Sequence, residues 1–136
     1  SFKVALLNGE MDFSSDTSQS FKIALYTSSA TLNASTTAYS TTNETSGTGY
    51  TAGGNTLTIA TNPTNATSGT IAYLDFSDTT WTSSTITARG ALIYKSGGTN
   101  PAVAVLDFGA DKSSSSSTFK VAFPTASDTT AIIRIA

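Results

Sequence analysis

The chain has 136 residues and a formal net charge of -2, and only 12% of its residues are charged. This length suits one domain, because two domains would each be too small for a good core. The few Lys and Arg residues are scattered, which argues against nucleic acid as a partner, and no apolar run is long enough to cross a membrane. Cysteine is absent, so no disulfide can stabilise the fold.

Serine and threonine dominate the composition, while Glu, Lys, Leu, Met and Gln are scarce. Thr, Val, Ile, Tyr and Phe favour strands, Ser, Gly and Asn favour turns, and the scarce residues are the strong helix formers. The composition therefore predicts an all-β domain with long polar loops.

The first twenty residues predict an N-terminal arm. FKVALL at 2–7 fits a helix face through Phe2 and Leu6, and it fits the alternation of a strand equally well. Asn8-Gly9 follows as a helix stop or a turn, and we favour a short helix here.

Residues 21–136 predict the body of a single β domain that spans 1–136. About seven short strands alternate with turn signals, as in an antiparallel β-sandwich or a jelly-roll-like domain. The segments outside the central pair are strands at 21–27, 56–61, 70–76, 119–123 and 131–135, a turn at 63–69, and a serine run at 112–117 that predicts an exposed loop tip.

The stretch 86–108 predicts two central strands joined by the turn SGGTNP. Strict alternation places five residues on one face of the first strand: Ile86, Ala88, Gly90, Leu92 and Tyr94. In the second strand, alternation places Val103 and Val105 on the same face. Apolar residues on both faces predict a pair covered on both sides, in the middle of a sheet stack. Gly90 inside a strand often marks a bulge or a close backbone approach.

The segment 28–55 is long and mostly polar, with Leu32, Tyr39 and Tyr50 as its large apolar anchors. A connection of this length in a small domain is usually functional or ordered by a partner. Its end, GTGYTAGG at 47–54, lacks the lysine of a phosphate loop and predicts a turn.

No chemistry stands out from the sequence. The chain has no histidine and no cysteine, which removes the usual nucleophile pairs, zinc sites and imidazole bases. Asp75, Asp78, Asp107 and Asp111 would suit a glycosidase or calcium if they met. Isolated turn aspartates are commoner, so we expect no enzyme, no metal and no cofactor.

Three further features have structural interpretations. The echo MDFSSD, LDFSD and LDFGAD predicts a core Phe followed by a turn that the Asp caps. Arg89 within an apolar strand predicts a carboxylate partner. Trp81 and the tyrosines would suit a sugar-stacking platform, but such residues more often lie in a core or an interface.

Several segments along nearly the whole chain carry a family resemblance. They are DFSSDT (12–17), FKIALYTSSATLN (21–33), GTGYTAGG (47–54), ARGALIY (88–94), AVLDFG (104–109), FKVAF (119–123) and AIIRIA (131–136). In this order they resemble a widespread group of small tailed-bacteriophage proteins, mostly known as uncharacterised or virion structural proteins. Ser18, Gln19 and Ser20 depart from the pattern as an insertion before the first strand. The group has no catalytic residues to carry over.

The resemblance implies a virion protein made in the bacterial cytoplasm. Within that class we expect a capsid decoration (cement) protein on the capsid surface, bound to the major capsid protein and assembled as a homotrimer. Long polar loops such as 28–50 would then be ordered mainly by neighbouring subunits. The hypothetical contact residues are Phe2, Leu6, Tyr39 and Tyr50. The alternatives are a tail, neck or fibre component, or a receptor- or carbohydrate-binding module.

Overall fold

The structure is a computed structural model that describes residues 2–66 and 69–136. The predicted all-β fold is confirmed, because these residues form seven strands in two antiparallel sheets and one short helix. In chain order the elements are α1 (Phe2–Leu7), β1 (Ser20–Tyr26), β2 (Asn55–Leu57), β3 (Ile59–Asn65), β4 (Ala72–Phe76), β5 (Thr79–Ser96), β6 (Ala102–Val121) and β7 (Ile133–Ile135).

Helix α1 confirms the helical interpretation of the N-terminal arm. The amide of Asn8 donates to the carbonyl of Val4 at 2.9 Å, and Gly9 follows with a φ of 71°. The helix therefore ends at the predicted stop, where a residue without a side chain adopts a left-handed conformation. The rings of Phe2 and Phe13 lie 6.1 Å apart, which ties α1 to the core.

The main core lies between the two sheets. The larger sheet has the strand order β2-β1-β5-β6, and the smaller one has the order β3-β4-β7. Phe21, Ile23 and Leu25 of β1 point into this core, together with Phe76 of β4. The alternation in β1 is thus the one that the sequence predicts.

The second face of the larger sheet is covered as well, as predicted for the central strands. Leu92 of β5 joins Ala24 and Tyr26 of β1 in a second apolar cluster, against which Leu32 and Tyr39 pack. The cover on this side is the long loop rather than a further sheet. In addition, β6 is the edge strand of its sheet.

The prediction that five alternate residues of β5 share one face is wrong. Ile86 and Ala88 lie in the main core, whereas Leu92 and Tyr94 lie in the second cluster. The pairing register with β6 shifts between Ala88 and Gly90, and such a bulge reverses which residues face inward. Gly90 is needed there because an added Cβ would lie 2.5 Å from the carbonyl oxygen of Leu106.

A second irregularity affects β6. Val103 lies in the main core, but Val105 packs on the second cluster, so the two valines do not share a face as predicted. The register of the β5–β6 pair shifts next to them, between Ile93 and Tyr94. Periodicity alone cannot locate such shifts, because they depend on the partner strand.

The serine run at 112–117 is not a loop tip, and this prediction is wrong. It lies inside β6 and pairs with β5. The hydroxyl groups of Ser84 and Ser114 are 2.7 Å apart and both side chains are buried. The turn preference of serine is overridden here, since a cross-strand partner satisfies the hydroxyl groups.

The segment around Pro63 also differs from the prediction. The predicted strand 56–61 is divided at Thr58 into β2 and β3, and β3 continues through Pro63 to Asn65. Proline is tolerated because β3 is an edge strand, where one side needs no amide donor. Of the predicted turn at 63–69, Thr67 and Ser68 lie outside the described residues.

Candidate functional site

Loop 28–55 is held on the sheet by hydrogen bonds within the chain. The amide of Thr45 donates to the carbonyl of Leu25 at 2.8 Å, and the amide of Thr85 donates to the carbonyl of Thr48 at 2.9 Å. The hydroxyl of Tyr26 donates to the carbonyl of Ser40 at 2.6 Å. These contacts order the loop without a neighbouring subunit, in contrast to the expectation that neighbours mainly order it.

A single carboxylate connects three parts of this loop. The hydroxyl of Tyr39 donates to Oε2 of Glu44 at 2.6 Å, and the hydroxyl of Tyr50 and the amide of Gly53 each donate to Oε1 at 2.7 Å. We call these four residues the Glu44 cluster. Tyr50 extends it to the sheet, because its hydroxyl accepts the amide of Leu25 in β1 at 2.9 Å.

Two aromatic contacts add to the Glu44 cluster. The ring of Tyr39 stacks on Tyr94 with centroids 4.6 Å apart and planes at 16°. The hydroxyl of Tyr94 donates to the carbonyl of Gly53 at 2.9 Å. The ring of Tyr50 lies 5.9 Å from Trp81 on the side of the main core. Stacked rings with satisfied hydroxyl groups hold a loop in one conformation.

The glycines of GTGYTAGG let the loop approach the sheet, and the predicted turn is confirmed. The amide of Gly54 donates to the carbonyl of Thr51 at 2.9 Å, which closes the turn. A Cβ at Gly54 would lie 1.8 Å from the carbonyl oxygen of Ile23, and one at Gly47 would lie 2.1 Å from that of Thr85. The motif therefore serves close backbone packing on β1 and β5 rather than phosphate binding.

The tyrosines of this region have raised pKa values. Burial raises the pKa of Tyr26 to about 12, and its hydrogen bond to Ser40 offsets part of that rise. Burial and then the hydrogen bond to Glu44 raise the pKa of Tyr39 and of Tyr50. Burial also raises the pKa of Tyr94. Neutral phenols are thus favoured, because a phenolate would be desolvated beside a carboxylate.

These shifts predict a loss of stability at alkaline pH. The contribution of Tyr26 is fully present below the unfolded pKa of about 10 and is lost as pH rises through the folded pKa of about 12. In that window the unfolding free energy falls by about 1.4 kcal/mol per pH unit for such a group. We expect urea unfolding between pH 9 and 11.5 to give a steeper decline for the native chain than for Tyr26→Phe. Equal slopes would contradict the prediction.

The structure places the four proposed contact residues within the chain's own packing. Tyr39 and Tyr50 belong to the Glu44 cluster, and both are half-buried. Phe2 and Leu6 are half-buried against the main core. They therefore form two separate groups, one in the loop and one on α1, and each has an internal structural role.

The outward face of α1 is not among the contact residues that the sequence predicts. Val4 is 55% exposed and Leu7 is 87% exposed, and they lie three residues apart on the helix. Helical spacing in FKVALL contains this signal, since Phe2 and Leu6 face inward and the remaining large apolar residues must then face outward. Val4 and Leu7 are the better candidates for contact with a partner.

Two of the four candidate carboxylates form ion pairs, each with a different basic residue. Asp78 pairs with Lys120 at 2.7 Å, and Asp107 pairs with Arg89 at 3.2 Å. The second pair confirms the predicted carboxylate partner of Arg89. Lys120 and then the amide of Phe123 lower the pKa of Asp78, whereas the amide of Gly109 and then Arg89 lower the pKa of Asp107. Within 2–66 and 69–136 no group of three acidic residues could hold a metal ion.

The Phe of each Asp-Phe copy packs in or against the main core, as predicted. Phe13 and Phe76 are buried and Phe108 is half-buried against the main core. Oδ1 of Asp12 accepts the amide of Ser14 at 2.9 Å, and Oδ1 of Asp107 accepts that of Gly109 at 2.8 Å. Asp12 thus caps the turn that follows it, with the usual Asx-turn geometry. Asp107 lies within β6, and the strand continues past Gly109, so the predicted turn is wrong for this copy.

Trp81 is not a surface residue. Its side chain is 3% exposed, and its ring packs against Phe119 with centroids 6.0 Å apart. Its indole Nε1 is buried, and none of the residues that the structure describes accepts a hydrogen bond from it. A sugar-stacking platform needs an exposed aromatic face, which Trp81 does not offer. Trp81 instead provides a fluorescence probe of the main core, since the chain has one Trp.

The part of the chain that the structure describes has no helix long and apolar enough to cross a membrane. No protein-family model matches the chain, and searches of curated proteins and of solved structures find no match either. The described residues form an all-β sandwich. Its best-formed polar site is the Glu44 cluster, which holds a loop in place.

Proposed function

We propose that this chain is a structural protein of a bacteriophage virion, and specifically a capsid decoration protein that binds the assembled head lattice. The observation that carries the proposal is where the segments of the family resemblance lie in the fold. GTGYTAGG packs the loop on the sheet. ARGALIY contains the register shift between Ala88 and Gly90 of β5, and AVLDFG lies in the edge strand β6. Segments that build a scaffold rather than a pocket support a structural role over an enzymatic one.

The loop geometry also supports this proposal. A decoration protein binds many equivalent lattice points, and it stabilises the lattice by mass action. Binding is weakened when a flexible surface has to be ordered at the contact. Hydrogen bonds accepted by Glu44 and donated by the amide of Thr45 order loop 28–55 before any partner is bound. The free protein would thus present a preformed surface, assembled as the homotrimer that we propose.

The copy number per purified phage particle tests the location. Quantitative mass spectrometry against the major capsid protein would give a ratio near one, or several hundred copies, for a lattice protein. A few copies to a few tens would place the chain in the tail, neck or fibres, which is the second candidate. Absence from particles would overturn the virion assignment. Sedimentation velocity of the purified chain would check the trimer.

A pair of α1 variants tests the proposed contact surface. Leu7→Ser removes an exposed apolar side chain, so we expect unchanged stability, within about 0.5 kcal/mol, but weaker binding to particles that lack the protein. Leu6→Ala removes a side chain packed on the main core, and we expect it to lower stability by about 1–2 kcal/mol. The readouts are unfolding in urea and retention on sedimented capsids. Native retention of Leu7→Ser would exclude this helix face as the contact.

A further inference from the structure

The two sheets leave four strand edges, and three of them carry features that block further pairing. β2 and β7 have three residues each, and β3 contains Pro63 and two register shifts. The fourth edge, on β6, has an uncharged apolar run at 102–106. Short length and proline are the usual protection of an edge strand, and β6 lacks both along this run.

The chain itself begins to pair with this edge. Ala38 forms an isolated antiparallel bridge with Pro101, and the amide of Ala102 donates to the carbonyl of Thr37 at 2.8 Å. A turn then diverts the loop, because the amide of Thr36 donates to the carbonyl of Asn33 at 3.0 Å. The backbone of β6 therefore accepts an antiparallel strand at its start, and the loop leaves the following residues uncovered.

A groove of about 560 Å³ occupies this position. Its floor is the backbone and side chains of 102–105, one wall is the loop segment 33–37, and the other wall is Phe2 and Lys3 of α1. Lys3 is the one ionisable residue among the described residues that line the groove. The groove is thus mostly apolar, and Lys3 places a single positive charge at its side.

We propose that this groove binds an extended segment of another polypeptide chain, which adds to β6 as a further strand. Three steps of 3.4 Å along 103–106 give about 10 Å of free edge, enough for a segment of about four residues. The segment would have small apolar or hydroxyl side chains in its middle and a carboxylate beside Lys3, since opposite charge favours the correct register. This inference does not depend on the virion assignment.

A second copy of this chain fits the groove less well. Pairing β6 with β6 across a two-fold axis would bring a second loop segment 33–37 and a second Lys3 into the same space. The loop segment 33–37 of each copy would obstruct the β6 edge of the other, and the two Lys3 side chains would repel each other. A single extended segment meets neither obstacle.

Synthetic peptides test the proposal on the isolated full-length chain. The probes are acetylated, amidated heptapeptides of alternating valine and threonine with an aspartate at either end. We expect saturable binding with a Kd of roughly 0.1–1 mM, and shifts in the amide resonances of 102–106 in the ¹⁵N-labelled protein. A matched probe, N-methylated at alternate residues, cannot pair with a strand and should not bind.

Two charge reversals supply the matched protein variants. We expect Lys3→Glu to weaken binding of the aspartate probe about tenfold, and to favour a probe with lysine in its place. Lys112→Glu makes the same change on an exposed residue of β6 away from the groove and should leave binding unchanged. Equal binding of the N-methylated probe, no saturable binding, or amide shifts elsewhere would overturn the proposal. Concentration-dependent shifts at 102–106 without peptide would identify a second copy as the occupant instead.

Discussion

Replacing Gly54 by alanine is expected to destabilise the protein by about 4 kcal/mol, or roughly 15 °C in Tm. The added Cβ would lie 1.8 Å from the carbonyl oxygen of Ile23 and 2.8 Å from the Cα of Ala24. Both atoms belong to the backbone of β1, which is bonded on both sides within the larger sheet and cannot move away. The φ of 67° at Gly54 adds a smaller cost for any L-residue.

Gly98→Ala is the matched control for this prediction. Its φ is 61°, close to that of Gly54, but nothing lies within 4 Å of a Cβ built there. The control should therefore cost only about 1 kcal/mol, the penalty for a left-handed alanine. Urea unfolding followed by Trp81 fluorescence measures both variants. Equal losses would mean that the close approach to β1 contributes nothing and that conformation alone explains the effect.

The sequence predicts the fold well where burial and spacing are local. The alternation in β1 and the apolar faces of β5 predict a sheet with cover on both sides, and Asn8-Gly9 predicts the end of α1. It fails where a long-range partner decides the outcome. Ser114 is a strand residue because it pairs with Ile86 of β5 and its hydroxyl bonds that of Ser84, and no local signal contains that pairing.

The polar site is harder to predict than the fold. A single glutamate in a serine- and threonine-rich loop reads as a solvated surface residue. What marks Glu44 is its three donors, and Tyr39, Tyr50 and Gly53 come together only after the loop has turned back on itself. The one sequence feature that points to Glu44 is the low charge of the whole chain. In such a chain, a carboxylate that shares a loop with two tyrosines is worth testing as a hydrogen-bond acceptor.

Removing the carboxylate of Glu44 is expected to cost about 3 kcal/mol in Glu44→Ala. The Tyr39 and Tyr50 hydroxyl groups and the Gly53 amide would lose their acceptor together. Hydrogen bonds to a charged group contribute about 1.5–3 kcal/mol each, but water would replace part of that at the half-buried Tyr39. Loop 28–55 should then open first, which hydrogen exchange at the amides of Thr45 and Gly53 would detect.

Glu10 is the chain's other glutamate and provides the control. It is exposed and accepts one side-chain hydrogen bond, from Asn8 at 3.0 Å, so Glu10→Ala should change stability by less than about 0.5 kcal/mol. A double-mutant cycle of Glu44→Gln with Tyr39→Phe separates the shared bond from the other effects of each change. Coupling near 1 kcal/mol would support a cooperative cluster. Strict additivity would mean that Tyr39 is held by its stacking on Tyr94 alone, and the loop would then be anchored by aromatic packing rather than by the carboxylate.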